Sequence, residues 1–141
     1  MKAFEVRRTI NASPDAVWAC LTDAAALQGG GLGIRKLEGA IAPGAAISVT
    51  SEANPGRAFA LRVAEFAPPR RMVWSGGMPL GLFTGVRTFT LTAAGAGTEF
   101  HMREEFSGLM APLITKSIPD LQPSFEQFAN GLRRLAEGGA R

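Results

Sequence analysis

The clearest pattern in the chain is an alternation of apolar and polar residues over residues 87–93 and 98–106, on either side of Ala94-Gly95-Ala96-Gly97. A period of two is typical of a strand with one buried face, and the glycine-containing break predicts a β-hairpin. Its apolar face carries Phe89, Leu91, Phe100, Met102 and Phe106. A turn closed at these limits places Arg87 directly opposite Glu104 on the same face. The hairpin therefore predicts a buried or half-buried ion pair on an otherwise apolar surface.

Similar alternation predicts five more strands before the hairpin. They cover residues 3–10, 34–38, 45–52, 57–66 and 71–75. Turn signals separate the later strands, namely Ala42-Pro43-Gly44, Asn54-Pro55-Gly56 and Pro68-Pro69. The residues expected on one shared apolar face across the last turn are Leu61, Val63, Met72 and Trp74. This face extends the apolar surface of the hairpin.

Helices are predicted near the start and at the end of the chain. Ser13-Pro14-Asp15 supplies an N-cap, a proline and an acidic first turn for a helix over residues 14–22, and Asp23 can cap a second short helix through Leu27. The glycine run at 29–33 follows a helix and precedes a strand, the reverse of a phosphate-binding loop, and is interpreted as a connection. After residue 108, apolar spacing that includes Ile118 predicts a buried helical stripe. Pro119 and Pro123 predict a kink or interruption in that helix.

Composition narrows the class of protein. A chain of 141 residues has the length of a single domain. No apolar run approaches the roughly 20 residues of a membrane span, and the start alternates like a strand instead of resembling a signal peptide. We therefore expect a soluble, cytoplasmic protein. The formal charge of +3 comes from arginines scattered over different elements, so nucleic-acid binding is not expected.

Few side chains offer catalytic or metal-binding chemistry. The only histidine, His101, alternates onto the solvent side of the hairpin, the only cysteine, Cys20, falls in a helical pattern, and there is no tyrosine. A metal site needs several converging ligands, so we predict neither a metal nor another cofactor. No catalytic residue is assigned.

One loop is unusually apolar. Residues 76–85 are rich in glycine but include Met78, Leu80, Leu82 and Phe83. Loops are usually polar, so these side chains should be covered. Coverage by the C-terminal helix is the expected arrangement; a ligand, a protein partner, a dimer contact through Met78 to Phe83 or a membrane surface are the alternatives.

Four segments carry a resemblance to a known family. They are residues 10–18 with Leu21-Thr22-Asp23, residues 64–74, the turn Gly97-Thr98, and Glu105-Phe106-Ser107-Gly108. Over nearly its whole length the chain resembles the START-related, Bet v 1-like (SRPBCC) superfamily, and in particular its polyketide cyclase/dehydrase-like branch. The resemblance implies an α+β helix-grip fold: a seven-stranded antiparallel sheet wrapped around a long, kinked C-terminal helix, with two short helices after the first strand. It also implies a cavity between sheet and helix, which commonly holds an apolar small molecule.

On this fold we expect the cavity to bind a lipid, an aromatic or a polyketide-like molecule. The predicted ligand-binding residues are Arg87, Glu104, Leu61, Val63, Met72, Trp74, Phe89, Met102 and Met110. The ion pair has two interpretations. In the preferred one it is a structural clasp, which fixes the register of the hairpin at the cavity rim or contacts Arg8. In the other the guanidinium orients a ligand, with Glu104 holding it in place. The superfamily includes carriers, cyclases and co-chaperone domains, so a cyclase/dehydratase and a protein-interaction module remain alternatives. The nearby arginine makes Glu104 a poor proton donor.

Overall fold

The computed structural model describes residues 2–52, 55–56, 58–78, 80–116 and 120–139. Some predicted turns, strands and helical positions lie outside the described residues, namely those at Asn54, Arg57, Pro79, Ile118 and Pro119. The strands are β1 (Lys2–Ile10), β2 (Ile34–Glu38), β3 (Ala46–Ser51), β4 (Ala58–Ala67), β5 (Arg71–Met78), β6 (Phe83–Ala94) and β7 (Gly97–Ser107). The helices are α1 (Pro14–Leu21), α2 (Ala24–Gly29), α3 (Ala111–Ile114) and α4 (Gln122–Gly139).

The strands form a seven-stranded antiparallel sheet in the order β1-β7-β6-β5-β4-β3-β2. Helix α4 lies against its concave face, and it buries one apolar stripe there. The buried residues of α4 are Phe125, Phe128, Ala129, Leu132 and Ala136. The predicted α+β helix-grip fold is confirmed, and the C-terminal helical region is interrupted between α3 and α4.

The two short helices begin where their capping residues predict. Ser13 Oγ accepts a hydrogen bond from the Ala16 N–H at 3.2 Å. Asp23 Oδ1 accepts one from the Ala26 N–H at 3.1 Å. Each side chain satisfies a backbone donor that the first helical turn leaves unpaired, which explains why the helices start there.

The hairpin of β6 and β7 has the predicted register, with Arg87 opposite Glu104 and Phe89 opposite Met102. The expectation of a loop over residues 76–85 is wrong. Strand β5 continues to Met78 and β6 begins at Phe83, with Gly76 paired to Gly85. Glycine disfavours strands, so the local sequence indicated a loop. The pairing of these residues across β5 and β6 depends on the folded sheet, so the local sequence does not reveal it.

The tip between β5 and β6 is not covered by the C-terminal helix, which corrects a second expectation. Leu80 is 94% exposed, and Met78 is 45% exposed. Phe83 alone is stacked on a core ring, that of Phe106, with centroids 5.7 Å apart. The segment before α3 is hydrogen-bonded to the backbone of the tip, where the Leu109 and Met110 N–H groups donate to the Gly81 and Leu82 carbonyls at 3.2 and 2.7 Å. A protein partner or dimer contact through Met78 to Phe83 stays a prediction.

The clasp interpretation allowed a contact between Arg8 and the Arg87–Glu104 pair, but the structure places the hydrogen bonds of Arg8 elsewhere. Its guanidinium instead donates hydrogen bonds to Asn130 Oδ1 at 2.9 Å and to the Glu126 carboxylate. Gln122 Nε2 donates to the other oxygen of Glu126 at 2.8 Å. This polar cluster attaches α4 to β1 at the edge of the sheet.

Glu126 makes this attachment dependent on pH. Its pKa is lowered from the ordinary value of 4.5, chiefly by the hydrogen bond from Gln122 and then by the one from Arg8. A carboxyl group whose pKa is depressed by folding stabilises the protein above its unfolded pKa and loses that effect as pH falls through the folded value. We expect Glu126→Gln to lower the free energy of unfolding at pH 7 by about 0.5 kcal/mol, because the pair is partly solvent-screened.

Urea unfolding measured from pH 7 down to strongly acidic pH checks this prediction. The difference between Glu126→Gln and the wild type should shrink as the pH falls below 4.5. Glu38→Gln is the control for replacing an exposed carboxylate, since Glu38 lies 3.8 Å from Lys36 Nζ on β2 and does not join α4 to β1. A difference at Glu126 that stays constant with pH would contradict the assignment.

Candidate functional site

A cavity of about 780 Å³ lies between the concave face of the sheet and α4. Residues of all strands from β2 to β7, together with residues of α3 and α4, form its wall. The volume is in the range of small-molecule sites, and most of the lining side chains are apolar. Among the described lining residues, the charged ones are Arg87 and Glu104.

The charged residues belong to one row across the sheet. The register pairs Val63 with Trp74, Trp74 with Arg87, Arg87 with Glu104, and Glu104 with Phe4. Residues directly opposite in antiparallel strands share a face of the sheet, with Cβ atoms about 5 Å apart. The row therefore places the guanidinium between an indole ring and a carboxylate.

The neighbouring row, toward the tip between β5 and β6, contains two glycines that line the cavity. It pairs Gly76 with Gly85, and Gly85 with Phe106. A Cβ atom on Gly85 would lie 3.3 Å from both Glu104 Oε2 and a ring carbon of Phe106. On Gly76 it would lie 2.7 Å from the Ala60 carbonyl oxygen. Both glycines line the cavity, and the missing side chains let Leu61, Glu104 and Phe106 lie close to the sheet there.

The row on the other side of the ion pair is filled by large, buried side chains. Met72 is paired with Phe89, and Phe89 with Met102. All three side chains are 0% exposed. Phe89 also packs against Phe128 of α4, with ring centroids 5.9 Å apart. These side chains belong to the packed core beneath the cavity, and of the three only Met102 is among the described lining residues.

Arg87 and Glu104 form a half-buried ion pair. Arg87 Nε and Nη2 both donate to the same oxygen, Glu104 Oε1, at 3.0 and 2.6 Å. The guanidinium carbon lies 4.9 Å from the centroid of the Phe125 ring, which holds the charge against α4. Arg87 Nη1 and Glu104 Oε2 have no hydrogen-bond partner among the described residues. Each atom is thus left with hydrogen-bonding capacity in the cavity.

Trp74 contributes a third polar group. It lines the cavity, and only 1% of the residue is exposed. Its indole N–H finds no acceptor in the described part of the chain. A buried donor without a partner typically costs about 1–3 kcal/mol, so such groups call for an explanation.

The structure brings together five of the residues predicted to bind a ligand. Leu61, Trp74, Arg87, Met102 and Glu104 all line the cavity. Three others, Val63, Met72 and Phe89, are at most 1% exposed and belong to the packed core. Met110 is 36% exposed, lies just before α3 and is not part of the cavity wall.

Sequence reasoning expected parts of the terminal helix to line the cavity, but it named neither the aromatic residues of α4 nor the glycine row as parts of the site. Gly76, Gly85, Phe106, Phe125 and Phe128 all line the cavity. Phe125 and Phe128 were expected to be core residues of the helical stripe, and they also form the roof of the cavity. The sequence signal that could have pointed to this part of the site is the pair Gly76 and Gly85, which lie opposite each other in the hairpin of β5 and β6.

The remaining reactive side chains lie elsewhere. His101 Nε2 is 2.8 Å from Glu5 Oε1 on the outer face, and this hydrogen bond is the main reason that the pKa of Glu5 is lowered. Burial raises the pKa of the half-buried Cys20 thiol, which makes it less reactive. The described residues contain no group of three or more His, Cys, Asp or Glu side chains arranged to hold a metal ion. None of their helices is long and apolar enough to cross a membrane.

A protein-family comparison covers almost the whole chain. The family model described as polyketide cyclase/dehydrase and lipid transport matches residues 1–137. No curated protein matches the sequence. The family of the chain is therefore assigned from the family model, and its fold is compared below with solved structures.

Solved structures show the same fold at low sequence identity. Protein MLL2253 from Mesorhizobium loti is 18% identical with a TM-score of 0.75, and the match covers 97% of this chain and 98% of that protein. The Aha1 dimer from Colwellia psychrerythraea is 18% identical with a TM-score of 0.74, with both chains fully covered. DynU16, from the dynemicin biosynthetic locus, is 22% identical with a TM-score of 0.73, and the match covers 99% of this chain but 48% of DynU16.

Proposed function

The chain belongs to the polyketide cyclase/dehydrase and lipid transport family, and we propose that its cavity binds an apolar small molecule of the lipid, aromatic or polyketide-like type. The observation that carries this proposal is the cavity of about 780 Å³ between the sheet and α4. Its wall is largely apolar, with a single ion pair among the described lining residues. Apolar walls supply affinity, and a few polar groups orient the ligand.

Binding or carriage fits this wall better than catalysis does. Glu104 is the one carboxylate among the described lining residues, and its Oε1 already accepts two hydrogen bonds from Arg87. These bonds hold the carboxylate against the guanidinium, an arrangement that suits orientation of a ligand. The described lining residues include no histidine, cysteine or aspartate that could act as the acid or base of a cyclase or dehydratase.

Titration with the uncharged fluorophore N-phenylnaphthylamine tests the proposal. The wild type should bind the probe with an increase in fluorescence, and Gly85→Val should weaken binding by about 10-fold or more, because an isopropyl group enters the cavity beside Glu104 and Phe106. The φ angle of Gly85 is not in the left-handed region, so valine fits the strand backbone.

Thr92→Val is the matched control. It places the same side chain on the same strand, at an exposed position outside this cavity. Its probe affinity should equal that of the wild type. The proposal fails if the wild type does not bind the probe, or if Gly85→Val binds it as tightly as Thr92→Val does.

A further inference from the structure

We propose that the cavity opens onto a lipid membrane, and that an exposed apolar patch at its opening docks the protein on the bilayer surface. This patch, the mouth patch, consists of Met78 and Leu80 at the tip between β5 and β6, Leu109 and Met110 before α3, and Leu113 within α3. Resting on the proposed function, the inference names the surface from which the apolar ligand is taken up and to which it is delivered.

The mouth patch exposes large apolar side chains to water. Leu80 is 94% exposed, Leu109 is 82% exposed, and Leu113 is 65% exposed. Apart from Phe59, the patch contains every exposed large hydrophobic side chain among the described residues. Single exposed hydrophobic residues are common on proteins, whereas a cluster of them marks an interaction surface.

Backbone hydrogen bonds join the two segments of the mouth patch. The Leu109 N–H donates to the Gly81 carbonyl at 3.2 Å. The Met110 N–H donates to the Leu82 carbonyl at 2.7 Å. Gly108 permits this approach, because a Cβ atom there would lie 2.7 Å from the Leu82 carbonyl oxygen. These polar groups are satisfied within the protein, which lowers the cost of placing the patch in a lipid interface.

Leu80 is unfavourable in water for two separate reasons. Its side chain is almost entirely exposed, and its backbone has a φ angle of 61°, in the left-handed region that favours glycine and asparagine. Glycine or asparagine would suit this turn better in a protein that met only water there. An apolar environment that covers the side chain explains why leucine occupies the position.

The charge pattern favours a lipid surface over a protein partner. Residues 76–86 and 107–116, the segments that carry the mouth patch, include no acidic residue and one basic residue, Lys116. Protein interfaces usually surround their apolar centre with polar side chains. Leucines beside an exposed lysine instead match the boundary between acyl chains and anionic headgroups.

The mouth patch borders the opening of the cavity. Met78 lines the cavity and is also exposed to solvent, so the cavity opens beside it. Ile114, which follows Leu113 in α3, is a lining residue as well. A bilayer in contact with the patch would therefore meet the opening directly. An apolar ligand would pass between the acyl chains and the cavity without crossing water, where its exposed surface is costly.

Co-sedimentation with vesicles of equimolar phosphatidylcholine and phosphatidylglycerol tests the docking. The wild type should sediment with the vesicles, and Leu80→Asn should weaken this binding about 10-fold, because it removes a leucine from the interface. Asparagine tolerates the left-handed backbone, so this variant should fold. Lys116→Gln should weaken binding to the mixed vesicles about 5-fold and leave binding to pure phosphatidylcholine nearly unchanged.

Gly95→Asn is the matched control. It places asparagine at a φ angle of 59° in the turn between β6 and β7, at the opposite end of the sheet. Its vesicle binding should equal that of the wild type. Salt at about 1 M screens the attraction between a basic chain and anionic headgroups, so binding through apolar side chains should persist there.

Two results would overturn the docking surface. One is equal vesicle binding by the wild type and Leu80→Asn, and the other is complete loss of wild-type binding in high salt. Light scattering after size exclusion adds a third: a wild-type dimer that does not bind vesicles and that Leu80→Asn converts to a monomer. The mouth patch would then be a contact between copies of this chain.

Binding of N-phenylnaphthylamine in the absence of vesicles tests the cavity separately. Leu80→Asn should leave it unchanged, because Leu80 is not among the described lining residues. Probe binding without vesicle binding would reject the docking surface and keep the proposed function. Vesicle binding without probe binding would do the reverse.

Discussion

Replacing Phe89 by alanine is expected to lower the free energy of unfolding by about 3–5 kcal/mol. The side chain is 0% exposed. Its ring contacts three other rings, with centroid distances of 4.8 Å to Trp74, 6.5 Å to Phe100 and 5.9 Å to Phe128. Alanine would leave a void where β6 meets α4, and neighbouring side chains can only partly fill it.

Urea unfolding followed by tryptophan fluorescence and by circular dichroism measures this loss. Phe89→Leu is the control, because it retains most of the volume and should cost about 1.5 kcal/mol or less. Probe binding by Phe89→Leu should stay close to that of the wild type, since Phe89 lies beneath the cavity wall. A cost below about 1 kcal/mol for Phe89→Ala would instead mean that the ring borders the open cavity.

Replacing Arg87 by methionine is expected to cost about 2–3 kcal/mol of stability in the ligand-free protein. Methionine keeps much of the volume, so the loss is mainly electrostatic. It leaves Glu104, with 15% of its side chain exposed, without the guanidinium that donates two hydrogen bonds to it. It also removes the cation from the Phe125 ring. Solvent in the cavity keeps the cost below that of a fully buried pair.

A double-mutant cycle isolates the pair. Glu104→Leu in the Arg87→Met background should recover part of the lost stability, because it removes the carboxylate that the first substitution leaves unpaired. We expect a coupling energy of about 1–3 kcal/mol between the two sites. Costs that simply add would show that the two groups act independently.

Trp74 and the glycine row connect stability to function. The sheet tolerates an unpartnered indole N–H and two bare positions, Gly76 and Gly85, on its inner face. Both features reduce stability in the ligand-free protein. A side chain at Gly76 would meet the Ala60 carbonyl oxygen and Leu61 Cδ2 at 2.7 Å, and one at Gly85 would enter the cavity. This pattern is expected where a fold retains a cavity for a ligand.

Much of the fold was predictable because its signals are local. Ser13 and Asp23 mark helix starts by their capping chemistry, and alternation identifies which side chains of a strand share a face. The close turn at Gly95 made the register of β6 and β7 countable, so the Arg87–Glu104 pair followed from the sequence and was found.

The cavity itself was only partly predictable. Alternation placed Leu61, Trp74 and Phe89 on one face but could not say which of them border open space. Phe89 belongs to the closed floor and Trp74 to the wall, because α4 covers the two rows of the sheet differently. That coverage depends on contacts between residues far apart in the chain, such as Arg8 with Glu126.

The sequence by itself determined the helix starts, five of the seven strands closely, and the pairing of Arg87 with Glu104, since each depends on residues near one another in the chain. The tertiary structure decided that β5 and β6 extend through the glycines to Met78 and Phe83, that Met110 lies outside the cavity wall, and that the Trp74 N–H lacks an acceptor. These features depend on strand pairing and on the position of α4 across the sheet. Long-range packing overrides local propensity at these positions, and the open site is found there.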